Sequence, residues 1–194
     1  MSHEIVFDIE TIGDIQDLQT MKVTVVSLYD FGTDSFHSFT EHELVQLWPF
    51  FEKAERIIGF NSEHFDLPIL QRYYTGDISR FQHLDLLKVI KETTGKRFKL
   101  DDLARATLQM QKSASGLQAV EWYKQGEIDK IKEYCEQDVR VTKELYEFGR
   151  KNRMLYYPTL TGDLIPIPVN FDVPTVVTAG KQQQGSGINL TLPF

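Results

Sequence analysis

The N-terminal run Ile5-Val6-Phe7-Asp8-Ile9-Glu10-Thr11 sets two carboxylates one residue apart in an apolar stretch. Side chains alternate across a strand, so Asp8 and Glu10 share a face, roughly 7 Å apart along the chain. At an effective dielectric near 20 their repulsion costs about 2 kcal/mol. A cation between them removes that cost, and oxygen ligands suit hard divalent ions. Three later acidic stretches offer further ligands. In GFNSEHFDLPIL, Asp66 follows a short apolar strand and stands where a helix begins. Taken alone it reads first as a helix cap. In EYCEQDVRVTKELYEF, Tyr134 and Asp138 lie four apart on one helical face. That face also carries Ile131 and Cys135, so it points inward, where a charged Asp is costly unless paired. Two readings stand: a salt bridge to an arginine such as Arg140 or Arg72, or a metal ligand with a phenol beside it. Asp85, in HLDLLKVIKE, precedes an apolar helix start and reads as a cap.

The elements that must position these groups are legible in outline. Residues 3–9, 22–31 and 35–40 read as three strands, the last two joined through Gly32-Thr33-Asp34 as a hairpin. Thr40 and Glu43 form a capping box ahead of ELVQLWPFFEKA, a helix that Pro49 kinks or breaks. RIIGF is a fourth strand ending at Asn61. EHFDLPILQRYY reads as a helix with Pro68 in its first turn. Residues 83–94 pass from a short strand or turn into a helix, and 99–110 and 116–125 are further helices. The longest helix runs from 127 to about 151 on an apolar stripe of Ile128, Ile131, Tyr134, Cys135, Val139, Leu145 and Phe148. MLYYPTL and LIPIPVNF form a terminal hairpin whose prolines confine the second arm to an edge. A leading β-meander followed by mixed strands and helices is the pattern of an α/β domain with a partly antiparallel sheet.

Taken in order, FDIET, NSEHFD and YCEQD resemble the three exonuclease motifs of the DEDD family, within the ribonuclease H-like, proofreading-exonuclease-type superfamily. Tyr134 ahead of Asp138 resembles the tyrosine subclass; the histidine subclass places His five residues before that Asp, where this chain has Glu133. HLDLLK, KLDDLA, GLQAVEWY and the terminal hairpin extend the resemblance over about residues 3–171. It implies a ribonuclease H-like mixed sheet flanked by helices, and a 3′–5′ exonuclease releasing 5′-nucleoside monophosphates. It implies that Asp8, Glu10, Asp66 and Asp138 hold two Mg²⁺ or Mn²⁺ ions, one activating a water and the other stabilising the leaving 3′ oxygen. Tyr134 then orients the attacking water, since a phenol with a pKa near 10 is a poor base. Asn61 and Phe65 are weaker candidates for contact with the terminal nucleotide, and Lys112 with its SASG neighbours for a phosphate-touching loop.

The 194 residues suit one substantial domain, expected over 1–172, with 173–194 as a glutamine- and glycine-rich flexible tail. The net charge of −7 argues against a broad basic surface and for a local nucleic-acid grip beside bound cations. The single cysteine, Cys135, excludes a disulfide framework and a cysteine-based zinc site. With no leader sequence and no apolar run of membrane-spanning length, a cytoplasmic protein is expected. The end, Asn189-Leu-Thr-Leu-Pro-Phe194, resembles the short peptide with which bacterial replication and repair proteins bind the sliding clamp. In that peptide Gln usually holds the place of Asn189, and Leu190, Leu192 and Phe194 would be the apolar anchors. A tail of this kind favours DNA, and a deep metal cleft favours a single-stranded 3′ end. Two other readings use the same residues: a catalytically silent nucleic-acid or clamp-binding module, and a metal-dependent nucleotide phosphohydrolase.

Overall fold

Strand β1 (Glu4–Ile12) divides the molecule into two faces. Its odd-numbered residues Ile5, Phe7 and Ile9 enter one apolar core, and Val6 enters another on the opposite side. The computed structural model describes residues 3–110, 116–159 and 161–172. Strands β2 (Lys22–Asp30) and β3 (Ser35–Thr40) add to β1 as an antiparallel meander. Strands β4 (Arg56–Gly59) and β5 (His83–Asp85) add in parallel on its other edge. The result is a five-stranded mixed sheet in the order β3-β2-β1-β4-β5. β1 is both longer and less regular than its sequence suggests. It continues to Ile12, and its pairing with β2 slips between Glu10 and Thr11. The extra residue lies in β2, and such a bulge bends and twists the strand that carries it. Here Thr24, the extra residue, returns a hydrogen bond from its hydroxyl to the Glu10 carbonyl at 3.0 Å.

The first face is covered by a 3₁₀ turn at Glu41–Gln46 and by helix α1 (Trp48–Lys53). The expected single helix is broken there because Pro49, in the first turn of α1, cannot continue a preceding ladder. Glu43 still accepts the Thr40 N–H at 2.9 Å, as its spacing predicts. Phe51 packs edge-on against Phe7 with ring centres 5.0 Å apart. Helix α2 spans only Asp66–Leu70, shorter than the helix expected over residues 63–74. The Ser62 carbonyl accepts the Leu67 N–H at 2.9 Å, and turns carry the chain on through Tyr74. Beyond it, the Tyr73 hydroxyl is held between the Val23 N–H and Glu41 rather than extending a helical face.

The second face is covered by α3 (Leu86–Thr94), α4 (Leu100–Leu108), α5 (Gly116–Gln125) and α6 (Ile128–Asn152). Ile131, Cys135, Val139, Thr142, Leu145 and Gly149 form the buried stripe of α6, spaced three and four residues apart. Each fully buried large apolar side chain contributes about 1.5–3 kcal/mol relative to exposure. Gly149 is required by packing, since a Cβ there would stand 2.3 Å from the Phe171 ring. Strands β6 (Met154–Pro158) and β7 (Leu164–Pro168) form the expected hairpin as a separate two-stranded sheet. Buried Glu4 ties the far ends of the chain together. It accepts from Arg56 Nε at 2.9 Å, from the Tyr146 hydroxyl at 2.7 Å and from Arg150 at 3.2 Å. Among the described residues no helix is long and apolar enough to cross a membrane. The tail and its anchors Leu190, Leu192 and Phe194, and the loop with Lys112, lie outside the described residues.

Candidate active site

Asp8 and Glu10 emerge on the α6 side of β1, as strand alternation predicts, while Ile9 between them turns into the opposite core. Helix α6 crosses that face and brings Asp138 to them. Carboxylate oxygens of Asp8, Glu10 and Asp138 lie within 4.8 Å of one another. Asp66 does not join that cluster. It stands beside it, 4% exposed, at the first position of α2. β4 ends its pairing with β1 at Val6, so the following N–H groups on that edge need another partner. The Asp66 carboxylate supplies it by accepting the Ile9 N–H, together with its own. The sequence reading of Asp66 as a plain cap is therefore incomplete, because the carboxylate reaches across to β1.

Neither arginine considered as a partner for Asp138 is held for that purpose. Arg72 donates to the carbonyls of Gln19 and Met21, and Arg140 lies over the Phe36 ring at 4.5 Å. Tyr134, one helical turn before Asp138, hydrogen-bonds to it and packs edge-on against Trp122 of α5 at 6.2 Å. Cys135, fully buried, points its sulfur at Asp8, 3.4 Å from the carbonyl oxygen and 3.8 Å from Oδ2. The sequence placed Cys135 on the inward face of α6 but carried no sign that it meets Asp8, which is 127 residues away.

The loop before Asp66 is built by groups that do no chemistry themselves. Asp85 caps α3 as expected, accepting from the N–H of Leu87 at 2.9 Å and of Lys88 at 3.3 Å. It also accepts the Asn61 N–H at 2.8 Å and the Glu63 N–H at 3.0 Å, so one buried carboxylate fixes the turn between β4 and α2. Asn61 holds a left-handed conformation there, with φ of 62°. Gly59 lets buried Ser62 fold back, since a Cβ would meet its hydroxyl at 2.3 Å. Phe65 is half-buried at the edge of the first core.

Crowding four acids under a helix has an electrostatic consequence. Burial, followed by the charges of Asp66, Asp138 and Glu10, holds the Asp8 carboxyl well above the usual carboxylate range. Burial and then Asp138 and Asp66 push Glu10 up to about 8. Burial raises Asp66 to about 7, although two backbone N–H groups pull the other way. The same burial, with Asp138 and Glu10, drives the Tyr134 phenol up, so it stays protonated. Groups that resist ionisation this strongly, gathered as hard oxygen donors, fit a divalent cation: Asp8, Glu10 and Asp138 can hold one directly.

The sequence matches the family model of the RNase H superfamily over residues 5–148. The chain belongs to that superfamily. No curated protein sequence is significantly similar to it. Among solved structures, this RNase H superfamily chain is similar to the family B DNA polymerase of the hyperthermophilic archaeon Pyrobaculum calidifontis. The TM-score is 0.62 at 18% identity, covering 77% of this chain and 24% of the polymerase. It is also similar to Trypanosoma brucei RNase D in complex with RNA U12, with a TM-score of 0.55 at 15% identity. That match covers 76% of this chain and 55% of the RNase D chain. At such identities the likeness establishes the fold, a ribonuclease H-like mixed sheet flanked by helices. An RNase H superfamily fold with a carboxylate cluster able to hold a cation supports a nuclease.

Proposed function

We propose that the chain is a metal-dependent 3′–5′ exonuclease that hydrolyses phosphodiester bonds at the end of single-stranded nucleic acid. The observation that carries the reading is the convergence of Asp8, Glu10 and Asp138, with oxygens within 4.8 Å, beside buried Asp66. In this reading the four carboxylates hold two Mg²⁺ or Mn²⁺ ions. When bound, such ions lower the pKa of a coordinated water and take up negative charge from the leaving oxygen. The protein's own contribution is positional. Sheet register fixes Asp8 and Glu10, the Ile9 N–H orients Asp66, and α6 carries Asp138 and Tyr134. Tyr134 keeps its proton and donates to Asp138, so it serves to orient the attacking water rather than to deprotonate it. Water oxygen bonds to phosphorus and releases a proton to solvent, the bond to the 3′ oxygen breaks, and that oxygen takes a proton from solvent to become the 3′-hydroxyl of the shortened strand, while the released nucleotide keeps the 5′-phosphate.

DNA is the favoured substrate of the proposal because of the tail. With residues 1–172 as the catalytic domain and 173–194 as its tail, Leu190, Leu192 and Phe194 would engage a sliding clamp and raise the local concentration of enzyme at DNA. Clamp pulldown that persists after deletion of residues 189–194 would rule this out. The enzymatic proposal is tested with 5′-labelled single-stranded DNA and RNA of one sequence, incubated in Mg²⁺, Mn²⁺ or EDTA. The expected result is a ladder shortening from the 3′ end, lost in EDTA and in Asp8→Ala. Intact strands with binding retained would identify a silent binding module, and hydrolysis of free nucleoside triphosphates alone a phosphohydrolase.

A further inference from the structure

The net charge of the chain is −7, yet residues 91–99, KETTGKRFK, hold four cations and one acid. Gly95, at φ of 70°, ends α3 and turns the chain outward. Lys96, Arg97 and Lys99 are exposed, while Phe98 between them is drawn in against Tyr157 of β6, with ring centres 4.6 Å apart. This alternation roots the segment by its one apolar residue and presents its charges to solvent. Among the described residues none of the three cations is ion-paired. Of the acids that follow on α4, Asp102 is taken by Arg105 at 2.9 Å. The segment is also joined to the candidate active site. Arg97 donates from Nη2 to Asn61 Oδ1 at 2.6 Å, and Asn61 stands on the turn that leads to Asp66. One N–H of the guanidinium is spent on Asn61, and the others remain for an acceptor.

We propose that Lys96, Arg97 and Lys99 form a phosphate-binding ramp for the single strand upstream of its 3′ end. The inference rests on the exonuclease reading for the direction of the strand. An acidic centre repels a polyanion, so a local group of unpaired cations at its margin is what draws the backbone in. Lysine and arginine contacts of this kind are independent of base sequence and release counterions. Phosphates are shared by DNA and RNA, so the ramp serves either.

The test measures affinity separately from cleavage. Fluorescence anisotropy is recorded for a labelled dinucleotide and for a strand of roughly 12 nucleotides, in the uncleaving Asp8→Ala chain, with and without Lys96→Gln, Arg97→Gln and Lys99→Gln together. The ramp requires the longer strand to bind more tightly than the dinucleotide, and the triple variant to lose about tenfold or more of that gain. The slope of log Kd against log salt should become shallower by about 2, as expected for three lost contacts to a single strand. Lys96→Gln and Lys99→Gln alone, which break no ion pair, should lose a smaller share in the same direction, with melting temperature unchanged. A triple variant with the parental Kd and salt slope overturns the proposal, as does a parent with no affinity for the longer strand. Cleavage by the unmodified chain reports on the exonuclease reading alone. A chain that binds through the ramp without cutting would sink that reading and leave the ramp standing.

Discussion

Tyr134 shows how much one side chain can be asked to do by its surroundings. Its phenol meets Asp138 and is pushed up by burial and by three neighbouring acids, so it can give a hydrogen bond but not accept a proton. Tyr134→Phe should therefore lower kcat by about 10–100-fold. The rise in melting temperature on adding Mn²⁺ should survive, because no carboxylate is lost; parallel nuclease assays and thermal melts would check both. A different residue of α6 has no such role. The hydroxyl of Thr142, 1% exposed, has no hydrogen-bond partner among the described residues. Thr142→Val keeps its shape and removes the stranded group, and should stabilise the fold by about 1 kcal/mol. Urea unfolding would measure it, and a destabilised variant would contradict the account.

At the scale of elements, the decisive piece is the short β4-turn-α2 unit. A turn of irregular backbone beside an active site needs its N–H groups satisfied, and Asp85 satisfies those of Asn61 and Glu63 as well as two at the start of α3. Asp85→Ala should cost about 3 kcal/mol by leaving buried donors unpaired. It should also reduce cleavage, since the same turn delivers Asp66. Chemical denaturation read beside activity would separate this from a simple capping loss, which would leave the activity of the folded fraction intact. The sequence reading of Asp85 as a cap holds, but it captures half of the residue's work. The partners at 61 and 63 come from another element and leave no local signal. The shortened α2 has a similar origin. Helical propensity across residues 63–74 is overridden by tertiary bonds from Tyr73 to β2 and to the turn at Glu41.

For the whole molecule, burial of the acids links stability to pH and to cations. Without a cation, Glu10 ionises at about 8 in the folded chain against its usual 4.5, and Asp66 at about 7 against 3.8. Between those values the folded state holds protons that the unfolded chain has released, so stability falls as pH rises. Metal-free protein should therefore melt at a higher temperature near pH 5 than near pH 8.5. Added Mg²⁺ or Mn²⁺ should restore more of the loss at the higher pH, where the ligands are already deprotonated. Calorimetry across that range in EDTA and in metal would show it. A melting temperature that climbs from pH 5 to 8.5 in EDTA would contradict the electrostatic account of the site.

Local pattern was enough to place Asp8 and Glu10 on one strand face and Tyr134 with Asp138 on one helical face, because periods of two and of about 3.6 are intrinsic to the backbone. The same patterns determined the meander, the long α6, the break at Pro49 and the terminal hairpin. Tertiary structure alone decided the rest, since contacts across long stretches of chain obey no sequence period. It brought Asp138 within reach of β1 and set the Cys135 sulfur against Asp8. It put a bulge beside Glu10, made buried Glu4 the knot between β1, β4 and α6, and joined Arg97 to Asn61. Four acids scattered over 131 positions of sequence, Asp8 to Asp138, become one strongly perturbed site only when the sheet and α6 bring them together, with Asp66 buried and the other three partly shielded from the water that would otherwise screen their charges.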